Sequence, residues 1–474
     1  MKKTIKPIRS AEMIILTYIF VGLFLGLMGY LVFFQMKISN DVVNSPYNRK
    51  RQELLAEKVV RGNILAQDGE VLAQTVTDAQ GKEKRQYPYG KMFAHVVGYS
   101  ANGGSGLEAY NNIRLLRSNN FFAGQIANNM QGIKNPGDTV ITTLDYKLQQ
   151  TAYDALGNHE GAVVVMQPST GKILAMVSKP DYDPNEIESI WKTVTDESSK
   201  ESMLLNRATQ GQYPPGSTFK ILTTLEYIRE NSNYADYTYT CEGSHTYEGN
   251  TINCYHKTVH GDVDLKSSFA KSCNSSFVNI GLQLNRKKLV SLCEDFQFNK
   301  DISIGIPAKS SKVDISDSTT TYKLMQTVIG QGDTLVTPLQ MAMVTSAIAN
   351  DGTMMTPYLV DHTESTQGST IKKFNSKKLA DPLKKEEAAT LKEFMLEAVQ
   401  SGTASRLKGQ NYTVGGKTGS AEFGTEKGNS HAWFVGFTEA GEDSIVVSIL
   451  VEAAGSGSES AVPIAKKLLD AYYK

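Results

Sequence analysis

Ser217-Thr218-Phe219-Lys220 sets a hydroxyl and an amine three residues apart, one turn along a single helix face, so the amine can reach the serine oxygen. Tyr213-Pro214-Pro215-Gly216 cannot continue a helix, whereas Ser217 to Tyr227 can, which predicts Ser217 at a helix N-terminus in the positive end of its dipole. A lysine base must be neutral, and desolvation beside other cations lowers its pKa in that direction. This is the chemistry of a serine nucleophile with a lysine base beside it. Ser272-Cys273-Asn274 follows, in a predicted loop between helices. There Ser272 can relay a proton between Lys220 and a leaving amine, and Asn274 offers both a donor and an acceptor to a substrate amide. Lys417-Thr418-Gly419, after Val414-Gly415-Gly416, reads as a strand whose glycines leave the sheet edge open to an extended peptide. Lys417 brings positive charge and Thr418 a hydroxyl for a substrate carboxylate. The backbone N–H groups of Ser420 and Ser217 form a candidate oxyanion hole.

Singly, these motifs are ordinary. Ser169, Ser189, Ser268, Ser369 and Ser405 also begin an S-x-x-K, and Ser100 and Ser118 an S-x-N, whereas K-T-G occurs once. Alone, the first would be a serine cap with a solvated lysine, the second a helix cap and the third a hairpin turn. A phosphate loop would need glycine at 411, where Asn411 stands. The order of all three along one chain carries the reading.

The elements that must hold these residues can be read around them. Gly161 to Met166, a turn at Pro168-Ser169-Thr170-Gly171 and Ile173 to Val177 form an apolar hairpin, and strands recur near Ala432 to Phe437 and Ser444 to Val451. Strands at both ends with helices between them predict an α+β domain whose sheet joins its first and last segments. Thr337-Pro338 supplies an N-cap and an N1 proline for a helix reaching Ala349. The lysine-rich stretch from Lys372 to Lys385 reads as solvated surface. Upstream, residues 35 to about 140 are polar, with short alternating runs, and suggest an elongated β-rich module; Asp68-Gly69 reads as a hairpin turn. Asn135-Pro136-Gly137-Asp138, then a strand from Val140 to Leu144 and a helix from Asp145, place the domain boundary at 144/145.

The 474 residues carry 49 Lys plus Arg and 49 Asp plus Glu. With no net charge there is no field to draw nucleic acid, and no such role is expected. Met13 to Phe34 is uncharged and long enough to cross a bilayer, and it lacks a signal-peptide cleavage site, so it reads as a retained anchor. Lys2, Lys3, Lys6 and Arg9 keep residues 1–12 cytoplasmic and export the rest, against the weaker vote of Arg49-Lys50-Arg51.

The motif trio matches the signature shared by penicillin-binding proteins and class A β-lactamases. In the upstream module, Asn44-Ser45-Pro46-Tyr47-Asn48-Arg49, Arg61-Gly62-Asn63-Ile64 with Asp68-Gly69 and Leu72-Ala73, and Gly106-Leu107-Glu108 resemble the pedestal of class B penicillin-binding proteins. Ala66-Gln67 departs from the acidic-basic pair usual before that turn. Gly330-Gln331-Gly332 and Thr337-Pro338-Leu339-Gln340 also resemble class B transpeptidases. With an anchor at 13–34, a pedestal or dimerisation-type domain at 35–144 and a penicillin-binding domain at 145–474, most of the chain resembles a class B penicillin-binding protein, a monofunctional peptidoglycan D,D-transpeptidase. The resemblance implies a β-lactamase/D,D-peptidase-like form of the α+β domain, an antiparallel sheet with helices on both faces. The resemblance implies that Ser217 is acylated by D-Ala-D-Ala stem peptides, with release of D-Ala, and by β-lactams, without a cofactor. It implies transfer to an amine on a neighbouring strand, and a SEDS-type glycosyltransferase as membrane partner. Elongation, division and sporulation enzymes share these features. A D,D-carboxypeptidase, a β-lactamase and a non-catalytic penicillin sensor or scaffold are the competing expectations.

Cys241, Cys254, Cys273 and Cys293 all lie in the exported part, where disulfides are allowed. Cys241, Cys254, His260 and Cys273 form a candidate tetrahedral zinc set, and His260-Gly261 and Cys273 fall where some elongation-type relatives place metal ligands. A Cys241–Cys254 disulfide and free thiols are the alternatives. Cys293 reads as core.

Overall fold

The computed structural model describes residues 10–34, 49–196, 202–423 and 429–474. Lys2, Lys3, Lys6, Arg9 and the Asn44 to Asn48 motif lie outside them. Ser10–Phe33 is a helix, and its Met13–Phe33 portion is long and apolar enough to span a membrane while burying none of its surface against the rest of the chain.

The sheet that carries the site has, among the described residues, the order Val414–Glu422, Ser430–Thr438, Val446–Val451, Gly161–Met166, Ile173–Lys179, and every neighbouring pair is antiparallel. The first and last segments of the catalytic region thus meet in one sheet, as the strand signals predict. Gly161–Met166 is buried on both faces, which is why it reads as an unbroken apolar run. Val164 and Met166 face one core and Val163 and Val165 the other. The helix Pro338–Ala349 covers the first face, buried from Pro338 to Ile348; Thr337 caps it by accepting from the Gln340 N–H at 3.1 Å. Tyr146–Leu156, capped by Asp145, and Val462–Tyr472 pack together behind the second.

The pedestal sheet runs Thr370–Lys373, Val360–Glu364, Thr139–Thr142, Ile64–Leu65, Val71–Thr77, Glu83–Gln86. Its first two strands come from far beyond residue 145, so the catalytic half of the chain completes the pedestal. Thr370–Lys373 is exposed throughout, in keeping with a solvated lysine-rich stretch. Four short helices between Ala94 and Met130 join the strands. The Arg61 and Glu108 motifs meet here: Glu108, fully buried, accepts from Arg61 Nε and Arg85 Nε, each at 2.6 Å. Gly62 beside them admits no side chain, since a Cβ would stand 1.9 Å from the Asp138 carbonyl oxygen. The two modules are joined by Asn185, whose amide donates to and accepts from the Tyr87 backbone at 2.9 Å, and by Asn206, which donates to the His95 carbonyl.

Candidate active site

Ser217 sits in a tight turn, Gly216–Phe219, that runs directly into the helix Lys220–Glu230. In such a turn residues three apart lie one above the other, so Ser217 and Lys220 share a face. Gly216 has φ 53°, and its N–H donates to the Gly330 carbonyl at 2.8 Å. A Cβ on Gly330 would lie 2.0 Å from the Gly216 oxygen, so the Gly330-Gln331-Gly332 segment serves as a bed for the nucleophile turn. The buried Trp433 indole donates to the Pro214 carbonyl at 2.9 Å from the other side.

Ser272 lies between the helices Leu265–Ala270 and Asn274–Gln283, as the loop reading requires, with its backbone in the left-handed region at φ 58°. Lys220 Nζ donates to Asn274 Oδ1 at 2.7 Å, to the Ser272 carbonyl at 2.8 Å and to Ser272 Oγ at 3.3 Å. Lys417 Nζ donates to the same Ser272 Oγ at 2.9 Å and to the Thr418 carbonyl at 3.2 Å. Two fully buried amines therefore converge on one hydroxyl. Burial brings Lys220 down to about 8, against the pull of the nearby Cys273 and Cys254 thiols. Lys417 falls well below its ordinary value, through burial and then through the charge of Lys220. Lys220 makes no hydrogen bond to the Ser217 hydroxyl among the described residues; contacts of this kind commonly tighten only when substrate arrives.

Lys417 thus points inward to Ser272. One expectation changes, the reason for the glycines. Gly415 and Gly416 serve packing: a Cβ would lie 2.8 Å from the Phe437 ring at the first and 2.5 Å from the Phe434 ring at the second. Among the described residues the edge is open because Val414–Glu422 is the outermost strand. Ser420 follows Gly419 along that edge, and its carbonyl oxygen lies 2.8 Å from where a Gly216 Cβ would stand, which brings its backbone beside the nucleophile turn.

Sequence reasoning missed Thr403, whose hydroxyl is hydrogen-bonded to that of Thr418. Ser401-Gly402-Thr403, small polar residues closing the helix Lys385–Gln400, was the available signal. It also missed Asn253, whose carbonyl accepts from Asn274 Nδ2 at 2.9 Å and thereby turns the amide oxygen toward Lys220.

Cys241, Cys254, His260 and Cys273 come together, with four ligand atoms all within 4.8 Å of one another. The Cys241–Cys254 and Cys254–Cys273 sulfurs are 3.7 and 3.8 Å apart, and Cys241 Sγ lies 3.4 Å from His260 Nδ1. A tetrahedron with zinc–sulfur bonds of about 2.3 Å has sulfur–sulfur edges of about 3.8 Å, so the donor set fits the ion in kind and size. No disulfide joins the four cysteines, and Cys293 is buried elsewhere in the core. The cluster abuts the site: Cys273 caps the helix that Asn274 begins, and Cys254 follows Asn253.

Residues 161–470 match the penicillin binding protein transpeptidase domain, and residues 61–140 the penicillin binding protein A dimerisation domain. The chain is similar to the peptidoglycan D,D-transpeptidase PbpA of Mycolicibacterium smegmatis, 34% identical over 457 residues, covering 87% of this chain and 88% of that one. Penicillin-binding protein A from M. tuberculosis, solved as a ceftriaxone acyl-enzyme, superposes with a TM-score of 0.81 at 29% identity, over 89% of this chain and all of that one. A D,D-transpeptidase domain from Eggerthella lenta gives 0.78 at 32%, over 86% and 98%. With both modules and most of its length matched, the chain belongs to the penicillin-binding protein transpeptidase family, among its class B members.

Proposed function

We propose that this chain is a peptidoglycan D,D-transpeptidase that cross-links stem peptides through an acyl-enzyme on Ser217 and is inhibited by β-lactams. The observation that carries the reading is the desolvated amine of Lys220, held by Ser272 and Asn274 one turn from Ser217. Neutral Lys220 takes the Ser217 proton as Oγ attacks the carbonyl of the D-Ala-D-Ala bond. The Ser217 and Ser420 N–H groups stabilise the oxyanion. Ser272, bonded to both amines, passes a proton to the departing D-Ala nitrogen. An amine on a neighbouring strand then takes the acyl group. Lys417 donates to the same Ser272 hydroxyl and so fixes it beside Lys220. Thr418, Gly419 and the open edge receive the peptide, and the second Asn274 Nδ2 proton is available to a substrate carbonyl.

Acyl transfer needs no cofactor. Cys241, Cys254, His260 and Cys273 would hold a structural zinc ion, which would fix the chain on both sides of Asn274; metal analysis should find one zinc per chain, lost in Cys241→Ser. The reading extends to a cytoplasmic N-terminus at 1–12, an anchor at 13–34, an extracytoplasmic pedestal at 35–144 and a catalytic domain at 145–474. Strand polymerisation then belongs to a SEDS-type glycosyltransferase in the same membrane.

The deciding experiment is incubation of the full-length protein with a labelled penicillin, compared with Ser217→Ala by intact mass. A stable adduct on the wild type alone is expected. Rapid loss of the adduct with drug hydrolysis would make the chain a β-lactamase, and release of D-Ala to water without cross-links a carboxypeptidase. No adduct on folded protein would leave a scaffold.

A further inference from the structure

The nucleophile turn is approached through a loop, and that loop is fixed by a charged cluster that takes no part in the chemistry above. Arg207 is buried with 4% side-chain exposure, and its Nε donates to Glu452 Oε1 at 2.7 Å. The Tyr213 hydroxyl donates to the same oxygen at 2.6 Å. Tyr213 is also bound through its backbone, donating to the Val336 carbonyl at 2.9 Å and accepting from the Val336 N–H at 2.8 Å. Its ring stands edge-on to Trp433 and His431. The next residue, Pro214, is held by the Trp433 indole, and Gly216 by Gly330. Segment 213–216 is thus gripped from three elements, and only the grip on the Tyr213 hydroxyl ends on a carboxylate.

Glu452 is placed to act as a fixed post. It directly follows the interior strand Val446–Val451, and its N–H donates to the Glu160 carbonyl at 2.8 Å. Arg207 offsets its charge, so the oxygen is presented to Tyr213 inside the fold without an unpaired anion. Burial and the Glu452 charge both push the Tyr213 phenol up, which keeps it a donor.

We propose that Glu452 is a positioning residue for acylation: through the Tyr213 hydroxyl it sets the Pro214–Gly216 segment and hence the direction of Ser217 Oγ. The inference rests on Ser217 being the nucleophile. A plain buried ion pair would instead support folding, and the two roles separate in the kinetics. A misaimed nucleophile lowers the rate of the acylation step; a loosened fold lowers the fraction of molecules that can be labelled.

The test is saturation kinetics of labelled-penicillin acylation on the full-length chain, comparing wild type, Tyr213→Phe, Glu452→Ala and Glu452→Gln. Tyr213→Phe should lower the limiting acylation rate roughly tenfold, with drug affinity, labelled fraction and the position of the pH inflection unchanged. Glu452→Gln keeps an acceptor for the phenol and should return the rate to within about threefold of wild type. Glu452→Ala should match Tyr213→Phe, and if it fails to fold, Tyr213→Phe still decides. Acylation of Tyr213→Phe at the wild-type rate, or a fall in labelled fraction at an unchanged rate, overturns the proposal. An unlabelled wild type would instead remove the Ser217 reading on which it stands.

Discussion

In the pedestal, Glu108 lies buried between the guanidinium groups of Arg61 and Arg85, whereas in the catalytic domain Lys220 and Lys417 converge on Ser272 with no carboxylate bonded to either amine among the described residues. Both regions take charge out of water. In the first, burial pushes Glu108 up but the two guanidiniums outweigh it and hold its carboxyl below 4.5. In the second, no carboxylate answers, burial outweighs the pull of the Cys273 and Cys254 sulfurs, and desolvation is spent on bringing a lysine amine toward neutrality. At Glu108 the matched buried charge serves the fold; at Lys220 the charge left without a carboxylate serves the reaction.

That contrast breaks most sharply with two variants. Lys220→Met should lower penicillin acylation by about three orders of magnitude, within the range for loss of a general base, while the melting temperature holds or rises. Glu108→Gln should do the opposite, destabilising by about 3–5 kcal/mol through two buried cations left poorly matched, with an unchanged acylation rate per folded molecule. Denaturant melts and burst kinetics on both proteins check this, and a Lys220→Met that melts far lower would erase the distinction.

Smaller effects follow with pH. Acylation should rise with pH through an inflection near 8, the value to which burial brings Lys220, and a pH–rate profile reads it directly. Both regions should gain stability as pH rises, in two separate windows. Glu108 has a depressed folded pKa, so its contribution is present above 4.5 and lost as pH falls through the folded value. Lys220 is also depressed, so stability is gained again as pH rises between about 8 and 10.5, where the buried amine no longer has to carry charge. Melts from pH 3 to 7 and from 7 to 11 should show both slopes, each removed by its own substitution. The partly exposed pair Arg229–Glu387, at 2.8 Å, sets the lower scale: Arg229→Met should cost about 1 kcal/mol or less, measured in the same melts.

How much of this was legible follows from where each contact sits in sequence. Ser217 to Lys220 and Ser272 to Asn274 are local, so residue type and spacing already constrain the chemistry, and the capped helix from Pro338 announces itself through Thr337. The pairing of Val360–Glu364 with Thr139–Thr142 is not local, and nothing in either segment names a partner some 220 residues away. Thr403 and Asn253 enter the site only through tertiary contact. Gly415 and Gly416 showed that side chains were excluded but not that aromatic rings were the reason. The four metal-type donors were legible as a set; their sulfur–sulfur distances belong to the folded chain alone.

The outermost strand Val414–Glu422 has a cost beyond catalysis. A free strand edge will zip to any other free edge, including that of a second molecule, and such self-pairing is how many proteins come out of solution. Here the Ser217 turn and the helix Lys385–Gln400 both pack against the strand, the helix near Gly415 and the turn near Gly419. Both contacts cover a face of the strand and leave its hydrogen-bonding groups to whatever arrives, so the edge that can take a peptide is also where one molecule could pair with another.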